Sequence, residues 1–353
     1  MIRIELGVED LANMRFGISP LTETVFSLWA LTDPSRHTLH LPWLRATRSH
    51  LDPDDDRLLS SLVGPSRIPP DFRGNPSRPV PDFLTPRPAR FISRFQNELT
   101  TVRATPADIV RRDLLATHAP GPLPHELRRA TSSDDPTIVM LLNAICDALE
   151  RYWEHSLAPS WPEMQLVLEA DTTYRARQLA TGGARLLFAD IHPNLRWSDG
   201  VLSITEMMDH HTVAAAGRGL LLTPSIFAYK PVPPLDPDGP PSVGYPSRGI
   251  GTLWSRPPEP DVAALVDLLG RTRALLLEML EEPQATVELA RRLKVTSSAV
   301  SQHLQVLHAT GLVIRERDRR QVLYRRSPTG DRLTMGATAT QLVGGAPLVA
   351  PTR

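Results

Sequence analysis

Four side chains able to donate and accept hydrogen bonds, Ser298, Ser301, Gln302 and Gln305, recur with helical spacing near the carboxyl end of this chain. In the same stretch Val300, Leu304 and Leu307 fall at i, i+4 and i+7, and at roughly 100° per residue the polar set points about 150° away from them. A helix with an apolar inner stripe and an uncharged polar outer face suits the major groove of duplex DNA. Hydroxyls and carboxamides can read base edges there without the desolvation cost of an unpaired charge. Gln302 is the foremost candidate base reader, because glutamine can make two bonds to adenine, worth about 1–3 kcal/mol of discrimination. The competing reading is an ordinary solvated helix face, and the neighbouring sequence weighs against it.

Upstream, Thr286 is expected to cap a shorter helix whose Leu289, Ala290 and Leu293 pack against the first. Lys294, Val295 and Thr296 form the turn, with Val295 filling the angle between the helices and Thr296 capping the second. Ser297 and Ser298 then lie in a first turn whose free N–H groups and dipole can bind a phosphate. Gly311 ends the helix in the left-handed region. Residues 312–317 and 321–325 read as two strands joined by Asp318, Arg319 and Arg320. Residues 311–326 hold six arginines (Arg315, Arg317, Arg319, Arg320, Arg325 and Arg326) against two acids, Glu316 and Asp318, in a chain whose net charge is zero. Salt screens charges over about 8–10 Å, so it is this local excess that a phosphate backbone would meet. Arginines on such a hairpin can touch phosphates or enter a narrow minor groove. The bland alternative is a solvated hairpin with Glu316 in a salt bridge.

Residues 261–332, about a fifth of the chain, resemble the winged-helix domain of the ArsR family of bacterial transcriptional regulators. The resemblance is carried by Arg273 with Leu275, Leu276 and Leu277, by VELARRL at 287–293, AVSQHLQVL at 299–307, GLV at 311–313 and VLYRR at 322–326. It implies a homodimer that places two recognition helices in successive major grooves of a pseudo-palindromic operator in double-stranded DNA, usually as a repressor. It assigns DNA contacts to Ser297, Ser298, Ser301, Gln302 and His303 on the helix and to Arg317, Arg319 and Arg320 on the wing. Gln305, Arg315 and Arg325 join them on the residue pattern. His303 lies roughly 60° from the centre of the apolar stripe, which leaves packing open as its role.

Departures from that family narrow the expectation. Its thiolate metal sensors pair cysteines in the first of the two helices, whereas VELARRL has none and the single cysteine, Cys146, is far upstream. A second metal site in the family uses Asp and His on a long last helix, but residues 333–353 contain no histidine and read as a flexible tail. No metal and no cofactor is therefore expected. Because that last helix often supplies half of the dimer contact, Val262, Leu265, Val266 and Leu269, or the amino-terminal region, must supply it here.

The expected fold class is α+β: a large mixed α/β amino-terminal domain (1–255) for effector sensing or dimerisation, then a winged helix-turn-helix (261–332) and the tail (333–353). Residues 2–6 alternate as a strand, and Ser19 and Pro20 start an apolar helix through Leu31. Residues 65–88, crowded with proline and arginine, read as an irregular excursion or linker. Helices are expected at 89–100, 106–115, 136–152 and 162–180, the third keeping Ile138, Leu141, Leu142, Ile145 and Leu149 in period. Strands follow: 195–197 and 201–204 around a Ser198, Asp199, Gly200 turn, then 220–229 and 242–245 separated by a proline-rich loop at 231–241. The order of WPEMQLVLEAD, LRWSDGVL, RGLLLTPSIF and YPSRGIGTLW is similar to an uncharacterised domain fused ahead of ArsR-type winged helices in actinobacterial regulators.

This region is not expected to be an enzyme. Asp209, His210 and His211 are adjacent and so point in different directions, which seldom suits one metal. Glu169, Asp171 and Arg175 share one helix and read as a surface ion pair. Gly182 and Gly183 read as a helix end, and no nucleophile elbow or phosphate-binding loop occurs. Trp153, Trp161, Trp197, Phe227 and Tyr229 are expected to fill a core rather than line a cavity. Control by a non-metal small-molecule effector or a protein partner is the remaining role. One cysteine, no export signal and no run of 18 apolar residues lead to the expectation of a cytoplasmic chain without membrane contact. The alternatives are a scaffold whose winged helix binds protein, and an enzyme tethered to DNA.

Overall fold

Ser19 and Pro20 start a helix for the reasons their types suggest: the Ser19 hydroxyl accepts from the Thr22 N–H at 2.9 Å and Pro20 needs no acceptor in the first turn. This helix, Pro20–Thr32, is buried at every position from 20 to 31. A helix buried on every side, its polar Thr22, Glu23, Thr24 and Ser27 included, has to be surrounded, and in the computed structural model it is the centre of the first of two compact units, Met1–Ser255 and Arg256–Arg353. The structure describes residues 1–66, 78–207, 210–236, 239–254, 262–318 and 321–334.

In chain order the helices of the first unit are α1 (Val8–Ala12), α2 (Pro20–Thr32), α3 (Leu41–Arg48), α4 (Pro53–Ser61), α5 (Phe95–Arg103), α6 (Ala107–His118), α7 (His125–Thr131), α8 (Asp135–Tyr152) and α9 (Trp161–Phe188). Helices α4, α5 and α8 pack on α2. Asp134 caps α8 by accepting from Thr137 N–H at 3.2 Å, and Ile138, Leu142, Ile145 and Leu149 are all buried in the α2 core, as their period requires. The helix expected at 89–100 begins instead at Phe95, because Ile18 and Ile92 pair as a β-bridge and hold the preceding residues extended. Nor is the described part of 65–88 a linker. Val80, Phe83 and Leu84 are buried, and the Phe83 N–H donates to Asp113 at 3.0 Å.

Two sheets complete this unit. The first runs β3 (Leu195–Ser198), β4 (Val201–Ile204), β1 (Ile2–Glu5), β5 (His211–Ala214), with β1 antiparallel to β4 and parallel to β5. Asp199 and Gly200 turn the β3–β4 hairpin with φ of 51° and 80°, the two positive values a tight hairpin favours. The second sheet, β2 (Arg15–Phe16), β6 (Leu221–Ser225) and β7 (Ser242–Pro246), is wholly parallel, and β6 is buried along its whole length. The amino-terminal strands thus enter both sheets, where the local pattern puts helices first and sheet later.

The expected surface ion pair is in fact interior. Met164, Leu168, Asp171, Thr172 and Arg175 form one buried stripe along α9, and Arg175 has no exposed surface. Its guanidinium pairs with Asp171 at 3.7 Å and with Asp190. Asp171 also accepts from Tyr245 Oη at 2.9 Å and from the Arg248 N–H at 3.2 Å, which ties α9 to the end of β7. Glu169, off the stripe, is half-buried and accepts from Gln165. Gly182 and Gly183 leave helical geometry inside α9, as their pairing suggests. Phe227 is buried, and Trp153 and Trp161 pack against the same core, where rings of Phe95 and Trp153 stack at 4.7 Å.

Two buried carboxylates at the ends of α2 contacts give this unit a pH dependence. Burial pushes Glu23, which accepts from Ile226 N–H at 2.9 Å, up to about 8, and Glu98, which accepts from Ser19 and Leu21, up to about 7. Burial pushes His37 and His40 down to about 4. An acid raised on folding favours the folded state below its unfolded pKa and loses that contribution as pH rises through the folded value. A depressed histidine acts in the opposite direction, between about 6.5 and 4. The thermal midpoint of the chain should therefore rise by the equivalent of about 1–2 kcal/mol as pH falls from 8 to 6.5, at up to about 1.4 kcal/mol per pH unit per extra proton bound. Melting curves across that range check it, and Glu23→Gln should flatten the rise; a wild-type midpoint independent of pH above 6.5 contradicts the assignment.

The second unit comprises α10 (Val262–Leu269), α11 (Arg271–Met279), β8 (Gln284–Ala285), α12 (Thr286–Leu293), α13 (Ser297–Ala309), β9 (Val313–Asp318), β10 (Gln321–Arg326) and α14 (Pro328–Thr334). Leu276, Leu277, Leu289, Val300, Leu304, Leu307 and Val313 are the most buried of its described side chains, together with Ala274 and Leu280. Each large aliphatic side chain so buried stabilises by about 1.5–3 kcal/mol. The sheet has three strands in the order β8-β10-β9. The described tail residues Leu333 and Thr334 belong to α14, with Leu333 packed on the core, so the expected flexible tail starts inside a helix; 335–353 lie outside the described residues.

Candidate nucleic-acid interface

The start of α12 differs from the sequence expectation. Thr286 is the first helical residue, and the capping position is Ala285, which makes no side-chain cap bond. Ala285 is instead held by the β8–β10 ladder opposite Leu323, so strand pairing sets the helix start in place of a hydroxyl. Leu289 and Ala290 are buried and Leu293 is half-buried against the same core. Lys294 then turns the chain in the left-handed region (φ 55°, ψ 41°), and the Val295 N–H closes the turn on the Ala290 carbonyl at 3.1 Å. Val295 does not fill the angle between the helices: it is 43% exposed, because the left-handed residue before it directs the next side chain outward.

Thr296 caps α13 as expected, its hydroxyl accepting from the Ala299 N–H at 3.2 Å. The N–H groups of Ser297 and Ser298 remain in the first turn, where a helix has no acceptor of its own for them. Val300, Leu304 and Leu307 are at most 1% exposed, which fixes the rotation of the helix. Ser297, Ser298, Gln302 and Gln305 are exposed on the opposite side, while Ser301 and His303 are half-buried at the edges of the stripe. Gly311, at φ 73°, ends the helix and lets the Leu312 N–H reach back to the Leu307 carbonyl at 2.9 Å.

The hairpin register sorts the arginines. Arg315 pairs opposite Tyr324 and Arg317 opposite Val322, so these two arginines share one face of the hairpin, whereas Arg325 stands opposite Ile314 on the other. All three are exposed and none forms an ion pair among the described residues; Glu316 forms none either, so the salt bridge of the bland reading is not made there. Arg326 is removed from any surface patch. Its side chain is only 12% exposed, pairs with Asp331 at 2.9 Å and Glu281 at 3.5 Å, and donates to Thr334 at 2.9 Å. Arg319 and Arg320 lie outside the described residues. Lys294, exposed in the turn before α13, is a cation that motif reading treats only as a turn residue. A left-handed position between two helices was the signal that would have placed it outward.

Elsewhere, no cluster of three potential metal ligands occurs among the described residues. His211 lies in β5 opposite Ile2, and His210 approaches the amino-terminal nitrogen at 3.1 Å; Asp209 lies outside the described residues. Cys146 is buried in α8, and burial pushes its thiol up to about 11. No described helix is long and apolar enough to cross a membrane.

Residues 262–321 match the model of the MarR family, a span running from the first residue of α10 to the first of β10 and covering about a sixth of the chain. The match supports a winged-helix regulator domain; it bears neither on the ArsR resemblance in particular nor on the first unit. No curated protein and no solved structure matches the chain. The chain is thus α+β and carries at its carboxyl end a MarR-type winged helix-turn-helix, which points to a DNA-binding transcriptional regulator.

Proposed function

We propose that this protein is a sequence-specific transcriptional repressor that binds a pseudo-palindromic operator as a homodimer. In this reading α13 enters the major groove, Gln302 reads a base, and Ser298, Ser301 and Gln305 add single bonds. Ser297 and Ser298 amides, Lys294, Arg315 and Arg317 hold the flanking phosphates, with Arg325 on the other face of the hairpin and Arg319 and Arg320 as further phosphate-binding candidates. The observation that carries the reading is the uncharged, exposed face of α13 beside exposed arginines that have no acidic partner among the described residues. The VELARRL and AVSQHLQVL segments favour an ArsR-like relative that uses no metal.

The dimer contact is placed on α10 or on residues 1–255. Leu265 is buried and Leu269 packs on the unit's own core, and among the described side chains of α10 Leu268 is apolar and 71% exposed. Residues 1–255 are assigned to effector sensing, without catalysis. An effector acts only if it binds one dimer geometry better than another and so changes the fit to two half-sites about 34 Å apart.

Footprinting on the promoter nearest its own coding region tests the function. Two protected half-sites one helical turn apart are expected, and Gln302→Ala should weaken that site by about 1–3 kcal/mol while leaving random duplex unchanged. Failure to retain any duplex at low ionic strength would overturn the reading in favour of a protein-binding scaffold.

A further inference from the structure

A cavity of about 270 Å³ lies in the first unit, just under the range of about 300–1,000 Å³ typical of small-molecule sites. Its floor is one face of the parallel pair β6–β7. Leu221 and Thr223 alternate along β6, Ser242 and Gly244 along β7, and the register sets Leu221 against Ser242 and Thr223 against Gly244. Thr22 and Phe26, one helical turn apart on α2, form a side wall. Gly244 keeps the floor open, since a Cβ there would stand 3.1 Å from the Phe26 ring and 3.5 Å from Val232. The remaining walls are two proline-rich segments, which carry Val80 and Pro86 on one side and Val232 and Pro240 on the other. Asp82 fastens these segments together by accepting from the N–H groups of Leu235 at 3.0 Å and Asp236 at 2.8 Å, so its carboxylate is already engaged.

Arg87 is the cation of this cavity. Half-buried, it donates to the Pro240 carbonyl, and among the described residues it has no carboxylate partner. The charged groups that act on it are Arg15 and Arg218, both of its own sign; with burial as the main cause, they hold its pKa below the usual arginine value. Asp236 also lines the cavity, its carboxylate pairing with Arg112 at 3.3 Å, so a half-buried guanidinium with no carboxylate of its own among the described residues is stabilised by an anion that brings its own apolar body.

We propose that this cavity binds a small, mostly apolar monocarboxylic acid, with the carboxylate on Arg87 and the body between Phe26, Val80, Leu221 and Val232. The ligand deepens the effector reading above, on which its regulatory meaning rests, while the binding site itself is tested apart from DNA. Calorimetric titration of the full chain with octanoate and phenylacetate, with their uncharged amides, and with inorganic phosphate is the experiment. At least one carboxylate should bind, its amide at least tenfold more weakly, equivalent to about 1.4 kcal/mol, and phosphate more weakly still. Arg87→Gln should remove the preference for the carboxylate over the amide, and Ser242→Trp, which fills the floor, should abolish binding of both. No carboxylate binding, equal binding of acid and amide by the wild type, or phosphate binding as tight as octanoate would each overturn the proposal. If either variant fails to fold, the wild-type comparison of acid with amide still decides. Duplex binding measured with and without the bound carboxylate separates the two readings. Binding without any effect on DNA leaves the site and removes the effector role, and absence of DNA binding removes the proposed function while the calorimetry still judges the site.

Discussion

Replacing Arg315 and Arg317 together by alanine should lower affinity for operator and random duplex alike by about 10- to 100-fold near physiological salt. The argument is electrostatic. Each arginine that neutralises a phosphate releases condensed counterions, and the slope of log affinity against log salt falls by about 0.9 per contact, so the double variant should lose close to 2 units of slope. Both side chains stand on one face of the hairpin, exposed and without an acidic partner among the described residues, so their charge is available to DNA. Arg325→Ala, on the other face, should change the slope by less. Arg326→Ala should leave the slope alone and lower thermal stability, because that guanidinium joins β10 to Glu281 at the end of α11 and to Asp331 and Thr334 of α14. Salt titrations of binding for the four proteins check the division. A double variant with an unchanged slope, or with a loss confined to operator DNA, would show that the wing does not hold phosphates.

The contrast between Arg325 and Arg326 marks how far the sequence could be read. Local signals were legible: the 3.6-residue stripe of Val300, Leu304 and Leu307, the Thr296 cap, the left-handed Gly311 and the Asp199–Gly200 turn are each decided by a few neighbouring residues. What escaped depends on distant partners. The strand Gln284–Ala285 is two residues long and exists because β10 pairs with it, and that pairing rather than a hydroxyl starts α12. In the same way β1 lies between strands about 200 residues away, an arrangement that no local alternation specifies. The sequence offers a sum of six arginines, whereas the register divides the four described ones between two faces and the interior. That division follows from alternation along a strand once a partner is known. At the cavity around Arg87, proline-rich stretches that read as loops are walls, because Asp82 binds one to the other.

Arg175→Ala should be the most destabilising single change in the first unit, by about 3–5 kcal/mol, the cost of removing one partner from a buried ion pair. Periodicity alone would have put this residue inside: Met164, Leu168 and Arg175 lie on one stripe of α9, and only its charge suggested the surface. With Arg175 gone, Asp171 would keep the Tyr245 hydroxyl and the Arg248 N–H but lose its buried cation, in a place where burial already raises its pKa. Solvation cannot replace the guanidinium there, since both side chains have no exposed surface. The pair is weak evidence for net stability, however, because apolar residues of similar volume often replace buried ions without loss. Arg175→Met combined with Asp171→Leu should therefore cost less than Arg175→Ala alone, even though it removes more polar contacts. Denaturant unfolding of the two proteins separates the cases. If Arg175→Ala costs under about 1 kcal/mol, the value of an exposed pair, the interior placement of this ion pair is wrong; if the double variant is the worse of the two, the pair contributes net stability through its hydrogen bonds to Tyr245, Arg248 and Asp190.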